Sequence, residues 1–421
     1  MVSANRWMKI SVIILNVTVL IFIIHVIILL NAPVETKDAR AYTWYSTPKS
    51  HHTDKHRVSS SESFYNTETR KHKVRRDKML LFWTPQHWFE DWVGNKWDTS
   101  HVFSKCSVSN CVLTKRREYL SKADVVLFRA RDLKSCQQKK KRGQIWIIFE
   151  HEAPPEFVRH ISQSENCSRN LFNWTMTYRR DSDLMFVHGK FSNVTSLYNE
   201  SEIDKTLKAK TKTAVAFISH CPTQSQRLEY IRKLRQYGVD IDIYGRCGTL
   251  QCRYKLGLSN FKAVWNLTPN MSMERDCFEV LDSRYKFYLS FENGLCDDYV
   301  TEKSLHLVLR HKIVPIIRDA ANHSLFHPPN SYLDTKDFKN IKSLANRIKV
   351  LSRNFDEYKK CLQWKKYFSS ETVSGVLQTN LCDICKRLNN QHKYQRQYRN
   401  IVEFFVSRNP ISPICHKPAD V

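Results

Sequence analysis

Short apolar runs recurring along the chain constrain the fold most. Met79–Trp83, Ala123–Phe128, Gln144–Phe149 and Leu184–Val187 are rich in β-branched and aromatic residues, and polar stretches of helical length separate them. A second series follows at Thr213–Ile218, Val239–Tyr244, Lys286–Phe291 and Ile313–Ile317, with Gln224–Tyr237 reading as a helix between its first two members. Buried runs alternating with helices predict parallel sheets built from βαβ units. Pro315 lacks an N–H and suits a strand end better than a strand centre. Beyond Met79 roughly 340 residues remain, too many for one ordinary core. The α/β class therefore resolves into two Rossmann-like domains facing a cleft, with ligands at the carboxyl ends of the strands. The polar stretch Asn199–Lys212 puts the boundary near residue 205. The domains expected are 79–205 and 206–372, followed by a helical, basic segment over 373–421.

The N-terminus reads differently. Ile10–Leu30 carries no charged side chain, with Asn16, Thr18 and His25 as polar interruptions. That length spans a bilayer core as a helix. Arg6 and Lys9 precede it, so residues 1–9 are expected in the cytosol. The run exceeds a signal-peptide core and no small-x-small site follows Leu30, which predicts an uncleaved transmembrane signal-anchor over 10–30. Residues 31–78 offer little apolar surface and read as a flexible stem. A luminal remainder fits the Asn-x-Ser/Thr triplets at Asn166, Asn173, Asn193, Asn199, Asn266, Asn270 and Asn322. It also fits the 13 cysteines, an odd number that leaves one outside any intrachain pair. The net charge of +26 is dispersed, without a nucleic-acid motif. An anionic substrate and acidic membrane surfaces account for it, and no nucleic-acid partner is expected.

The chemistry concentrates between Tyr285 and Lys303. An apolar strand to Phe291 runs into a polar turn of Glu292, Asn293 and Gly294, and a helix is expected to open near Tyr299–Lys303. Polar groups at a strand end facing a helix N-terminus hold phosphate esters in α/β folds. Phe287-Tyr-Leu-Ser-Phe-Glu-Asn293 together with Asp298-Tyr-Val-Thr-Glu-Lys303 resembles the signature of the α1,3/4-fucosyltransferases, glycosyltransferase family 10, with an invertebrate-like character. Thr177–Asp183, Phe217–His220 through Arg227, Tyr244–Gly245 and Asn330–Asp334 resemble further blocks of that family in the same order. The resemblance implies a GT-B fold in which 373–421 packs back on the first domain. It implies inverting transfer of L-fucose from GDP-fucose, with no obligatory cofactor and a divalent cation at most stimulatory. It also implies donor contacts from Arg227, Tyr244, Asn293, Tyr299, Glu302 and Lys303. Arg227 would offer a two-pronged fork and Lys303 a point charge to the leaving diphosphate. His220 stands where the family usually carries Asn.

Inverting transfer needs a base opposite the departing diphosphate. Phe149-Glu-His-Glu-Ala-Pro-Pro155 ends a strand and resembles the family segment that carries it. Gapless alignment of the strand selects Glu150, whereas alignment on the proline selects Glu152. His151 has no family counterpart. Asp181–Asp183 and Asp240–Asp242 match the Asp-x-Asp of metal-dependent GT-A transferases, but so short a pattern recurs by chance and no metal site is expected. Cys382–Cys385 is similar to a structural, disulfide-bonded Cys-x-x-Cys of the family, and no second pair follows at zinc-finger spacing. Cys106 and Cys111 are close enough in sequence to close a short loop.

The resulting expectation is a single-pass type II Golgi membrane enzyme with a luminal catalytic domain. It would act on the 3-hydroxyl of GlcNAc in glycoprotein or glycolipid glycans, with LacNAc or LacdiNAc acceptors favoured. Two other readings stand beside it: core α1,3-fucosylation of N-glycans, and an inactive family member serving as a glycan-binding scaffold. Arg310, His311 and Arg318 occupy positions where relatives often carry small residues or glycine, and they reshape the edge of the site.

Overall fold

The computed structural model describes residues 76–84, 89–90, 93–133, 136, 138–162, 165–194, 200–250, 273–409 and 412–421. The chain divides into two units, Met1–His72 and Lys73–Val421. The first lies wholly outside the described residues, and with it the expected anchor Ile10–Leu30 and most of the stem. No helix among the described residues is long and apolar enough to cross a membrane.

The first sheet contains β1 (Lys78–Phe82), β2 (Cys111–Thr114), β3 (Val125–Arg129), β4 (Ile145–Glu150), β5 (Trp174–Thr177) and β6 (Leu184–Met185). All neighbours are parallel, in the order β2-β1-β3-β4-β5-β6. Val125–Phe128 and Trp146–Ile148 are 0% exposed. Burial on both faces is why these strands read as unbroken apolar runs. β2 and β5 do not stand out as such runs. β2 is a short edge strand. β5 alternates Trp174 and Met176 with Thr175 and Thr177, whose hydroxyls bond to Asp183 and Ser182. The run Leu184–Val187 pairs only over Leu184–Met185.

After β7 (Gly189–Asn193) the second sheet begins. It contains β8 (Lys212–Phe217), β9 (Ile241–Tyr244), β10 (Tyr285–Phe291), β11 (Val314–Arg318) and β12 (Leu333–Asp334), all parallel, in the order β12-β11-β10-β8-β9. Pro315 sits near the start of β11. β12 reaches only Ile316 and Ile317, so one side of the strand is unpaired at Pro315 and the missing N–H is tolerated. The helix Ile341–Arg353 buries Ile341, Leu344, Ala345, Ile348 and Leu351 against this sheet, a helical spacing of apolar residues. Asn340 caps it by accepting from the Ser343 N–H at 2.9 Å. Gly245 follows β9 at φ 103°, and a Cβ there would stand 2.7 Å from the Ile218 carbonyl oxygen, so only glycine fits.

In both sheets the winding reverses beside the first strand, between β1 and β3 and between β8 and β10. Open α/β sheets bind ligands outside the carboxyl ends of the strands at such switch points.

β13 (Phe368–Thr372) pairs antiparallel with β7, and the helix Val373–Leu388 then returns to the first sheet. Val376, Leu377, Leu381, Ile384 and Leu388 share one core with Leu80, Leu113, Leu127 and Ile147. Disulfides Cys106–Cys382 and Cys111–Cys385 staple the helix there. The short Cys106–Cys111 loop is therefore not closed, and Cys382–Cys385 is not closed on itself. Residues three apart on a helix share a face, which turns both thiols of the Cys-x-x-Cys toward the two cysteines beside β2. Cys136–Cys167, Cys221–Cys247 and Cys296–Cys415 also pair. Cys361 is free among the described residues.

Candidate active site

Glu292 follows β10 directly and is 1% exposed. Its Oε1 accepts from the Thr301 N–H at 2.9 Å and the Thr301 hydroxyl at 2.7 Å. Its Oε2 accepts from the Lys303 ammonium at 2.9 Å. Lys303 also donates to Thr301 Oγ1 at 2.8 Å and to Glu302 Oε1 at 3.4 Å. These bonds hold Thr301 out of helical register. The helix opens at Glu302, within the expected span, with a wide π turn over Lys303–Leu307. Burial pushes the Glu292 carboxyl up. Burial also works against charge on Lys303, but Glu292 and Glu302 outweigh it and raise the ammonium. At Glu302 burial again opposes ionisation, yet Lys303 and His188 hold the carboxyl down to about 2. The cluster thus keeps a charged Lys303 beside an ionised Glu302.

Arg227 opens the helix Arg227–Gln236 and is 2% exposed. Its Nη1 donates to the Phe291 carbonyl at 3.0 Å and its Nη2 to the His220 carbonyl at 3.1 Å. Those carbonyls lie at and beyond the ends of β10 and β8, so the guanidinium clamps the switch point from within. The two-pronged fork is already used on the backbone, and only Nε is unpartnered among the described residues. Asn293 donates through Nδ2 to Glu156 Oε1 at 3.4 Å, while its Oδ1 is buried without a partner. A buried acceptor left open in a cleft suits a donor group of a ligand. Tyr244 closes β9, and its ring packs on Phe217 and Tyr285.

On the facing side, β4 ends on Glu150, which is 1% exposed. Its Oε2 accepts from the Arg131 N–H at 3.0 Å, and its Oε1 from the N–H groups of His151 and Glu152 at 3.0 and 3.3 Å. Burial pushes its pKa up against the nearby charges of Arg129 and Arg131. Glu152 is half-exposed, and its Oε2 accepts from the Tyr299 hydroxyl at 3.1 Å. His151 packs on Phe186 and His188, and burial depresses its pKa, which keeps it neutral.

Further contacts join the two sides. His188 Nδ1 lies 3.3 Å from Glu302 Oε2. A Cβ on Gly294 would meet the Ala153 Cβ at 3.0 Å, so the turn after β10 passes close to the turn after β4. Glu150, Glu152, Asn293, Tyr299, Glu302 and Lys303 therefore gather around one site, with Arg227 beneath it and Tyr244 in an aromatic cluster at the edge of the second sheet. Sequence reasoning gave Glu292 no role and missed His188 and Glu156. Glu292 lies inside the motif and was findable. The other two carry no spacing signal.

The remaining sequence marks have other surroundings. Asp181 pairs with Arg179, and Asp183 with Arg396 and Tyr398. Asp242 pairs with Lys212 and the Tyr285 hydroxyl, while Asp240 is exposed ahead of β9. Asn193 and Asn322 are exposed, and Asn166 lies in the short helix Glu165–Ser168. Asn173 is committed elsewhere: its Oδ1 accepts from the Trp146 N–H at 3.0 Å and its Nδ2 donates to the Arg396 carbonyl at 2.9 Å. Asn199, Asn266 and Asn270 lie outside the described residues.

The family description "Fucosyltransferase, N-terminal" matches residues 75–189, and "Glycosyltransferase family 10 (fucosyltransferase) C-term" matches residues 207–404. Alpha-(1,3)-fucosyltransferase C of Drosophila melanogaster is 28% identical over 354 residues, covering 76% of this chain and 76% of that protein. Alpha-(1,3)-fucosyltransferase fut-5 of Caenorhabditis elegans is 30% identical over 288 residues, covering 66% of this chain and 70% of that protein. A crystal structure of an alpha1,3-fucosyltransferase with GDP-fucose overlays loosely, at a TM-score of 0.43 and 15% identity, over 78% of this chain and 94% of that one. On the matched family descriptions and these relatives, the chain belongs to glycosyltransferase family 10 and is a fucosyltransferase.

Proposed function

We propose that the chain transfers L-fucose from GDP-fucose to the 3-hydroxyl of GlcNAc in a glycan, with inversion at the anomeric carbon. The observation that carries this reading is the buried, charge-retaining Lys303 beyond the end of β10, beside the switch point where a nucleotide diphosphate belongs. The relatives are named α-(1,3)-fucosyltransferases, which supports the linkage.

In this reading the diphosphate oxygens compete with Glu292 and Glu302 for the Lys303 ammonium. As the bond from fucose C1 to the phosphate oxygen breaks, negative charge collects on GDP. Lys303 and the N-terminal dipole of the helix Arg227–Gln236 stabilise it. Arg227 keeps the two strand ends in place. Glu302, ionised, suits a ribose hydroxyl or the developing oxocarbenium. Glu150 acts as base: burial raises its basicity, and the turn amides hold its carboxylate at the cleft. It takes the proton of the acceptor 3-hydroxyl as that oxygen bonds to C1. Protein cations carry the leaving-group charge, so transfer in EDTA is expected.

LacNAc or LacdiNAc is the favoured acceptor, and the enzyme is expected in the Golgi membrane with its catalytic part luminal. The deciding experiment measures product from GDP-fucose in EDTA with LacNAc, LacdiNAc and chitobiose-core acceptors. Fucose on one of them establishes reaction and substrate together. GDP binding without transfer to any would favour the scaffold reading. Glu150→Gln should lower transfer by about 10²–10⁴-fold while GDP still binds. Near-normal transfer by that variant would move the base to Glu152.

A further inference from the structure

Arg318 closes β11 and is 1% exposed. Its Nε and Nη2 form a two-pronged pair with Asp420, at 2.9 Å to Oδ2 and 2.6 Å to Oδ1. Its Nη1 donates to the Ser225 carbonyl at 2.6 Å, and the guanidinium lies over the Tyr230 ring. Ser225 in turn donates through its hydroxyl to the Glu292 carbonyl at 2.6 Å and through its N–H to the Asn293 carbonyl at 3.1 Å. Arg318 thus links Asp420 to the backbone that carries Glu292 and Asn293.

The segment bearing Asp420 is tied to the same turn a second time. Cys415 is bonded to Cys296. The His416 N–H donates to the Leu295 carbonyl at 2.7 Å, and the Asp297 N–H to the Ile414 carbonyl at 2.7 Å. Gln224 bridges the remaining gap: its Nε2 donates to the His416 carbonyl at 2.6 Å, and its Oε1 accepts from the Leu295 N–H at 2.8 Å. His416 and Arg408 both reach Asp297, at 2.8 and 3.2 Å. The loop before the helix Arg227–Gln236, the turn after β10 and the segment Ser412–Val421 therefore form one network.

We propose that Arg318 and Asp420 are positioning residues for the donor. Acting through Ser225, they hold the helix N-terminus, Glu292 and Asn293 in the geometry that receives the nucleotide diphosphate. This rests on the GDP-fucose reading above. A bidentate arginine–carboxylate pair is geometrically rigid. Removing the carboxylate leaves a buried guanidinium uncompensated, so it no longer holds Ser225 in one place.

The test uses the full chain and three variants of two residues: Asp420→Asn, Asp420→Glu and Arg318→Lys. GDP dissociation constants come from calorimetry, and donor KM and kcat are measured at saturating acceptor, well below each melting temperature. Asp420→Asn should raise the GDP dissociation constant and the donor KM together by about tenfold, with kcat within about twofold of wild type. Arg318→Lys keeps the charge but loses the fork and should shift both in the same direction. Asp420→Glu keeps the carboxylate and should recover part of the affinity. Unchanged binding and KM with only a lower melting temperature would reduce the pair to a structural clip and overturn the proposal. Tighter binding or faster transfer would make the segment a blocking arm and also overturn it. A wild-type chain that binds no GDP would instead defeat the donor reading itself.

Discussion

The Tyr299 hydroxyl lies 3.1 Å from Glu152 Oε2, and this bond carries the motif after β10 to the turn after β4. Tyr299 is 1% exposed, and burial together with the Glu152 charge raises its pKa, so the hydroxyl is a permanent donor. Tyr299→Phe should lower kcat/KM by about tenfold, or about 1.4 kcal/mol, the scale of a hydrogen bond to a charged group. Glu152→Gln should do the same. The double variant should be no worse than either alone, because both remove one interaction. Additive losses in a kcat/KM cycle would show that the two residues act separately.

A base must be ionised to accept a proton, and burial raises the Glu150 carboxyl. The acidic limb of kcat/KM should therefore fall off at a pH above the ordinary glutamate value of 4.5. Glu152→Gln should keep the limb but move its midpoint down, because the Glu152 charge helps to raise the Glu150 carboxyl. Glu150→Gln should remove the limb and lower the rate by about 10²–10⁴-fold. A midpoint unchanged in both variants would assign the limb to another group.

Lys303→Met should damage both fold and donor binding. It leaves the buried Glu292 without its cation and Glu302 with His188 alone, a loss on the order of 3–5 kcal/mol. The sign of the pH effect follows from Glu302, held at about 2 against an ordinary value of 4.5. Its stabilisation is complete above the ordinary value and disappears as pH falls toward the folded one. Urea unfolding from pH 6 to pH 2 should show wild type losing more of its stability than Lys303→Met loses. Parallel curves would mean that Lys303 does not set the Glu302 charge.

Where burial is two-sided, sequence alone reveals the fold. Val125–Phe128 and Ile145–Phe149 are unbroken apolar runs because both faces of each strand are buried. β2 and β5 escape that rule, one as an edge strand and the other because its threonines bond locally. Glu302 and Lys303 are legible as charged groups at a strand end. Spacing does not say which cation a carboxylate takes, so the job of Glu292 is invisible. Nor does it say which way a guanidinium points, and Arg227 turns inward to carbonyls. Asp420 meets Arg318 across 102 residues of sequence, a separation no local pattern encodes.

The two disulfides on the helix Val373–Leu388 should not contribute independently. Cys106–Cys382 and Cys111–Cys385 each close a long loop, with separations of 276 and 274 residues. Once one is formed, the other closes only the few residues between them, and loop-closure entropy grows with loop length. Cys385→Ser alone should therefore cost about 2 kcal/mol, and Cys382→Ser with Cys385→Ser at least twice that. Cys361→Ser, at the free thiol, should stay within about 0.5 kcal/mol. Equilibrium unfolding in urea without reductant measures all three. Equal losses from the single and double variants would mean that the helix is held by its apolar face, through Leu377, Leu381 and Ile384, and that the staples add little.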